Sequence, residues 1–477
     1  METLKPYPAY NNSGVEWLGQ IPDHWKVARN KLFLHEINER STDGKEDLLT
    51  VSQFTGVTRR KENIASDNEL LTNAATLVGY KKVEPDDLVI NIMLAWNGSL
   101  GVSSVKGIVS PAYCVFRTIS DEVIPRYLHY LLRTPLFTGA FKMVSTGVVD
   151  SRLRLYPDVF LRLPSILPPK DEQTTIVRFL DHMDRRIRRY IRTKQKLIKL
   201  LEEQKQAIIH EAVTKGLDPN VRMKPSGMEC LGEVPAHWEI AALRRHWEVV
   251  DCKHLTVPFS ENGLPLVSVS EVQSFTVDLS GCNRTTQQWY ELLIGGGRKP
   301  KRGDIIYCRN VSVGASAYVD IDDHFAMGQD VCLIRSKTQN DRFLNYLLHS
   351  SFMKWQLEMI LVGSTFKRIN ISEIKTLVVV VPPRVEQDFI CKTLDCDLQL
   401  YSDCINTTEN EIRRVLEYQT RLVGLVVTGQ LDVRQIAATL PVELEKAETD
   451  GKTEEYIDND SGPDDITGDD EAIGNEL

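Results

Sequence analysis

Residues 13–25 read SGVEWLGQIPDHW, and residues 226–238 read SGMECLGEVPAHW. Eight of the 13 positions are identical, at an offset of 213. Solenoid units run to tens of residues, so a period this long makes the chain two similar halves in tandem. A protein built this way can grip a ligand that itself has two parts.

The repeat continues beyond its opening. Leu49-Thr50-Val51-Ser52 pairs with Val267-Ser268-Val269-Ser270, both short β-prone runs. Asp86-Asp87-Leu88-Val89-Ile90 pairs with Gly303-Asp304-Ile305-Ile306-Tyr307, an acidic turn feeding an apolar strand. Residues 126–132 (RYLHYLL) pair with 342–348 (RFLNYLL), two short amphipathic helices. Strand-like runs follow, Leu161 to Leu167 and Leu377 to Val381. Each meets a proline pair, Pro168-Pro169 or Pro382-Pro383, which ends the strand and suits the first turn of a helix. Thr214 with Leu217-Asp218 closes the first half as Thr428 with Leu431-Asp432 closes the second.

After each proline pair the apolar positions alternate spacings of four and three. The first seam is Ile176, Leu180, Met183, Ile187, Tyr190, Lys194, Leu197, Leu201, Gln204 and Ile208. The second is Cys391, Leu394, Leu398, Tyr401, Ile405, Thr408, Ile412, Val415, Gln419 and Leu422. These are heptad seams on rods of roughly 60 Å. The two rods most simply pack on each other, Lys194 and Thr408 being equivalent polar positions that mark register; two separate amphipathic helices are the plainer alternative. The link from Lys215 to Ser226 is short, which favours an antiparallel pair with a globular section at each end. The arginines of residues 185–192 (RRIRRYIR) flank the first seam, either pairing with acidic residues of the other helix or a partner, or facing the phosphates of an anionic ligand.

Composition narrows the class. The net charge of −9 is set by residues 441–477, with 14 Asp/Glu and 2 Lys; the rest carries +3. That tail is acidic and poor in apolar residues, the composition of a disordered segment. No run of 18 apolar residues spans a membrane, and the N-terminus lacks the apolar core of a signal peptide. Nine scattered cysteines without a CxxC pair fit a reducing cytoplasm. Cys391, Cys396 and Cys404 read as small buried side chains of a helix rather than a metal site. No phosphate loop, GxSxG, HExxH or GxGxxG is present. Neither proline pair has the context used by adenine methyltransferases, and Pro85-Asp86 lacks the rest of a nuclease carboxylate set. His24 and His237, beside Trp25 and Trp238, read as packing residues. Binding is expected rather than catalysis.

The repeated SGVEWLG opening, the Pro-Pro-x-x-Glu-Gln helix start, Phe179-Leu180-Asp181 and the closing EAVTKGLDPN at 211–220 resemble the specificity (S) subunit of type I restriction-modification systems. The resemblance covers residues 10 to about 435. It departs at Cys230, which stands where the first half has Trp17, and at the less regular opening of the second helix. It implies an α+β fold with two tandem α/β target recognition domains and two long helices packed as an antiparallel coiled coil, related by a pseudo-two-fold repeat. The boundaries are 1–167 for the first domain, 168–216 for the first spacer helix, 217–381 for the second domain, 382–432 for the second helix, and 433–477 for the acidic tail. It further implies a non-catalytic, cytoplasmic subunit that reads double-stranded DNA, one half-site per domain. Two methyltransferase (M) subunits and restriction (R) subunits would dock on it. S-adenosylmethionine belongs on M, and ATP and magnesium on R; no cofactor or metal is expected on this chain. A non-catalytic protein-interaction scaffold is the alternative, and a self-contained nuclease or methylase is a further rival.

Phosphate contacts come from Lys, Arg and backbone amides, and base reading from Arg, Lys, Asn, Gln or Ser on loops and helices. The candidates in the first half are Arg59, Arg60, Lys61, Lys81, Lys82, Arg152 and Arg154. In the second they are Arg298, Lys299, Lys301, Arg302, Arg309, Lys367 and Arg368. Arg154 and Arg368 are equivalent at an offset of 214. Gln53, Asn97, Ser151, Asn310, Ser312 and Thr365 are polar companions able to reach base edges.

Overall fold

The computed structural model describes residues 5–53, 55–60, 76–147, 153–361 and 368–441. They form two compact units. One runs up to Asp181 and resumes at Val423; the other is His182–Leu422. The first unit holds the first module, the start of the first long helix and the last turn of the second; the second unit holds the second module and most of both long helices.

The two modules share one plan. In the first, a four-stranded antiparallel sheet has the order Leu34–Ile37, Tyr113–Thr118, Leu88–Asn91, Leu100–Val102. In the second the order is Glu248–Asp251, Val331–Arg335, Ile305–Cys308, Ser316–Tyr318. The central strands are apolar on both faces, and Leu88–Asn91 and Ile305–Cys308 are fully buried. The amphipathic helices Pro125–Leu132 and Asp341–Leu348 sit at equivalent places.

The acidic turns have a local cause. Asp87 accepts the Glu84 amide at 2.8 Å and Asp304 accepts the Lys301 amide at 2.9 Å. Asp87 is also held by the Arg117 guanidinium at 2.7 and 2.8 Å. The β-prone runs are less alike than expected. Leu49–Ser52 is a strand, whereas the second strand, Leu264–Val267, ends where the expected run begins. There the Glu271 carboxylate folds back onto the Ser268 amide at 2.7 Å and starts a 3-10 turn, Ser270–Val272.

The strands before the proline pairs are Pro164–Leu167 and Val378–Val381. Each pairs antiparallel with a strand just after the repeated opening, Lys26–Arg29 or Glu239–Ala242. Leu161 lies instead in a short helix, Pro157–Arg162, because Pro157 opens a helical turn. Ile371–Thr376 is its counterpart, opened by a capping box of Asn370 and Glu373.

The long helices are Lys170–Lys215 and Arg384–Val427. Within the second unit they run antiparallel: Gln419 donates to Asp184 at 2.9 Å, Lys194 meets Glu411 at 2.7 Å and Lys205 donates to Ser402 at 3.1 Å. The second seam lies inward throughout: Leu394, Leu398, Ile405, Thr408 and Leu422 are buried and Tyr401, Ile412, Val415 and Gln419 partly so.

The first seam keeps Ile176, Leu180, Met183 and Ile187, then slips. Tyr190 and Leu197 are each 40% exposed and Gln204 is exposed, while Ile191, Ile198 and Lys205 turn inward. Two successive steps of four, from Met183 to Ile187 to Ile191, take up the drift of a 3.6-residue helix against a 3.5-residue repeat. Leu201 and Ile208 remain partly buried. The arginines at 185, 186, 188, 189 and 192 are exposed, and Arg188 pairs with Asp184 of its own helix at 2.8 Å.

Both modules lock their helix start in the same way. Glu172 takes His24 Nε2 at 2.8 Å and the Trp25 indole at 3.1 Å; Glu386 takes His237 Nε2 at 2.8 Å and the Trp238 indole at 3.1 Å. Gln173 accepts the Ile124 amide and donates to the Pro168 carbonyl, both at 2.9 Å. Gln387 does the same for Asn340 and Pro382, at 2.8 Å each. Asp181 collects Arg126 and Tyr130 as Asp395 collects Arg342 and Tyr346. The histidines of the opening are thus structural groups.

Each helix ends against the opening of the other half. Gly216 lies under Trp238 and Pro235, and Gly429 under Trp25 and Pro22, both with positive φ. Tyr127 donates to the carbonyls of both Ile166 and Val427 at 3.1 Å, a tie the equivalent Phe343 cannot make. The acidic tail starts later than 433. Arg434–Thr439 is a helix with Val433 and Ala437 fully buried, and Arg178 donates to the Ala437 carbonyl. Of the three clustered cysteines Cys391 is buried, but Cys396 and Cys404 are exposed on the outer face of their helix. No described helix is long and apolar enough to cross a membrane.

Candidate nucleic-acid interface

The two modules present a loop at the same topological point, just after the buried strand of each sheet. In the first it runs from Ile92 to Ser99, in the second from Arg309 to Ala315. A returning segment pins each loop from the side: Leu155 donates its amide to the Ile92 carbonyl at 2.8 Å, and Ile369 to the Arg309 carbonyl at 2.9 Å. This places Arg154 and Arg368 beside equivalent loops, both exposed and with no ion pair among the described residues. Their backbones pair with Thr146 and Asn310, respectively.

The other expected contacts fall into three groups. Lys61, Arg152, Lys367, Ser151 and Thr365 lie outside the described residues. Lys81 and Arg309 are buried, at 7% and 4% exposure, and cannot reach a duplex as they stand. Lys81 faces Glu36 at 3.7 Å. Arg309 pairs with Asp251, its amide donates to the Asp330 carbonyl at 2.8 Å, and it lies 3.4 Å from His254 Nε2. Its charge is spent on holding the base of the loop.

The third group is at the surface with partial commitments. Arg59 is exposed and 3.2 Å from Asp47; Lys82 is half-exposed and 3.6 Å from Glu46; Arg302 is exposed and 3.0 Å from Asp322. Exposed pairs of this kind are weak enough to be exchanged for phosphate. Arg60 and Lys301 are exposed and Lys299 is half-buried. Arg298 is largely structural, donating to the Asp251 carbonyl at 2.9 Å and the Gly295 carbonyl at 3.1 Å.

Among the polar companions Gln53 is exposed and Asn310 and Ser312 are half-buried on the second loop. Asn97 is turned inward, accepting the Ser99 amide at 3.1 Å and hydroxyl at 2.8 Å. Sequence reasoning missed Trp96 and Lys142, whose ammonium sits 5.2 Å over the indole beside the first loop. Nothing in their spacing links them.

Asp251, Cys252 and His254 bring ligand-type atoms within 4.8 Å of one another. Asp251 already neutralises Arg309, and the two nitrogens of His254 face different neighbours, Cys252 Sγ at 3.4 Å and Asp251 Oδ2 at 3.0 Å. Burial also raises the Cys252 thiol pKa, which disfavours the thiolate a metal needs. The cluster fits the loop base better than a cation.

The fold defines a tandem-repeat protein with two copies of one module, each followed by a long helix and each with an exposed arginine beside a matching loop. Residues 272–417 match the type I restriction modification DNA specificity domain. The chain is 23% identical over 433 residues to the type I restriction enzyme MjaVIII specificity subunit of Methanocaldococcus jannaschii, covering 87% of this chain and 95% of that one. A second relative, the putative MjaX specificity subunit of the same organism, is 24% identical over 326 residues, 67% of this chain and 71% of the relative. In structure the chain is similar, at a TM-score of 0.61 and 16% identity, to a chain solved in work on complex assembly and conformational transition of the type I R-M system. That match covers 86% of this chain and 99% of the other. Over most of its length the chain is similar to type I restriction-modification specificity subunits, and part of its second half matches their DNA specificity domain.

Proposed function

We propose that this chain reads a bipartite DNA target, one half-site per module, with the paired helices setting the gap. Methyltransferase subunits dock on it to give an adenine methylase, and restriction subunits to give an ATP-dependent nuclease. S-adenosylmethionine belongs on the former, ATP and magnesium on the latter. The observation that carries this reading is the doubled loop: Arg154 and Arg368 stand beside equivalent loops of two modules built alike. Half-sites one helical turn apart need module centres roughly 34–36 Å apart, a span within reach of rods of roughly 60 Å.

The test is a length change. Seven residues, roughly 10 Å of helix, inserted near Gln204 and matched in the second helix opposite, preserve the phase of both seams. DNA rises about 3.4 Å per base pair along a strand. With methyltransferase subunits present, the methylated motif is expected to keep its half-sites and gain about three base pairs between them. An unchanged gap with full activity overturns the ruler while leaving DNA recognition in place.

A further inference from the structure

We propose that Val311 reads the C5-methyl group of a thymine in the half-site of the second module. This rests on the DNA-reading function above and names one of the contacts by which it works.

Val311 has φ +60° and is 75% exposed. A β-branched residue is a true outlier in the left-handed region, and such strain persists only where the surroundings enforce it. Here they do. The Asn310 side chain accepts the Val311 amide at 3.0 Å. Ala315 donates to the Ser312 carbonyl at 3.0 Å and Gly314 to the Cys308 carbonyl at 3.2 Å, closing the loop. Below it, the buried Arg309 pairs with the half-buried Asp251, and the Ile369 amide pins the side.

The product of all this bonding is an isopropyl group held in water. It contributes nothing to the core, and a glycine would relieve the backbone. Its value lies in what it can touch. In the major groove the thymine methyl is the one apolar group among the base edges, and a side chain without donors or acceptors can distinguish only that feature. Arg368, exposed and paired through its backbone with Asn310, supplies the cation for an adjacent phosphate.

The first module's loop also carries an exposed apolar residue, Met93, 37% exposed and two residues past the buried strand, with its amide held by Asn91 at 3.1 Å. It stands at the position of Asn310 and lacks the left-handed backbone, so the Val311 arrangement belongs to the second module.

The experiment uses the full chain assembled with its methyltransferase subunits. Methylation-aware sequencing first gives the motif, and exchange of residues 217–381 assigns one half-site to the second module. Each thymine of that half-site, on either strand, is then replaced by deoxyuridine in a synthetic duplex, and binding is measured. One position is expected to weaken wild-type binding about fourfold, the worth of one buried methyl. Val311→Ala removes that difference while leaving the first half-site and the thermal melt unchanged. Uridine without effect at every position, an effect that persists in Val311→Ala, or a half-site without thymine overturns the proposal. So does a Val311→Ala variant that fails to assemble with methyltransferase subunits yet binds duplex normally, which would assign the residue to a protein contact. A wild-type complex that methylates no motif and binds no duplex contradicts the DNA reading itself, a separable result.

Discussion

Lys194 Nζ lies 2.7 Å from Glu411 across the paired helices. Thr408, the repeat equivalent of Lys194, is buried one turn from Glu411. A buried hydroxyl and a snorkelling lysine thus replace apolar residues at the middle of the seam, where they can fix register.

The pairing shifts both groups: hydrogen bonding to Lys194 holds the Glu411 carboxyl below its usual pKa, and Glu411 raises the lysine. A depressed acid contributes stability above its unfolded pKa that is lost as pH falls through the folded value. A raised base contributes below its unfolded pKa until pH rises through the folded one. The coupling measured by a Lys194→Ala, Glu411→Ala double-mutant cycle is therefore expected at neutral pH, and to vanish in acid below the Glu411 pKa. It also weakens with salt, since both groups are near the surface. A coupling indifferent to pH and salt rules out the ion pair.

Glu172 is 6% exposed and accepts from Tyr7, His24 and Trp25. Glu172→Ala strands a buried hydroxyl and an indole N–H, at a cost of about 2–4 kcal/mol. The equivalent Glu386 is 29% exposed, so water can replace it and Glu386→Ala costs less. Denaturant unfolding followed by tryptophan fluorescence checks the order of the two losses.

A Cβ on Gly429 would lie 2.4 Å from Pro22 Cδ and 3.0 Å from Trp25, in a backbone with φ +75°. Gly429→Ala combines left-handed strain with overpacking and should destabilise by about 1–3 kcal/mol. At Gly216 the nearest contact is 3.2 Å, from the Trp238 ring, so the same change should be milder. Equal melting temperatures for the two variants contradict this packing.

Burial pushes the Asp341 carboxyl up to about 7, against the Ser336 amide and Trp247 indole that stabilise its charge. A raised acid favours the fold below its unfolded pKa, and that contribution is lost as pH rises toward 7. The melting temperature of wild type is expected to fall relative to Asp341→Asn between about pH 4 and 7. A difference that is constant over that range counts against a neutral buried carboxyl.

Local signals in the chain carried far. The proline pairs, the acidic turns at Asp87 and Asp304 and the whole second seam are properties of neighbouring residues, and all are found where they were expected. The first seam failed at Tyr190 because the adjacent pairs Tyr190-Ile191 and Leu197-Ile198 fit two phases, and only the partner helix chooses between them. Lys81 and Arg309 looked like surface cations because Glu36 and Asp251, which bury them, are 45 and 58 residues away. The seating of each helix end on the opposite half, through Gly216 and Gly429, leaves no periodic trace. Nor does the left-handed backbone at Val311, which depends on the long-range anchoring of Arg309.

The central claim is that two like modules read two half-sites independently. The most direct measurement is methylation-aware sequencing of DNA treated with the methyltransferase complex after residues 10–165 are exchanged for the matching module of another specificity subunit. The account predicts a motif in which one half changes and the other half and the gap stay as they were. A motif altered in both halves contradicts it.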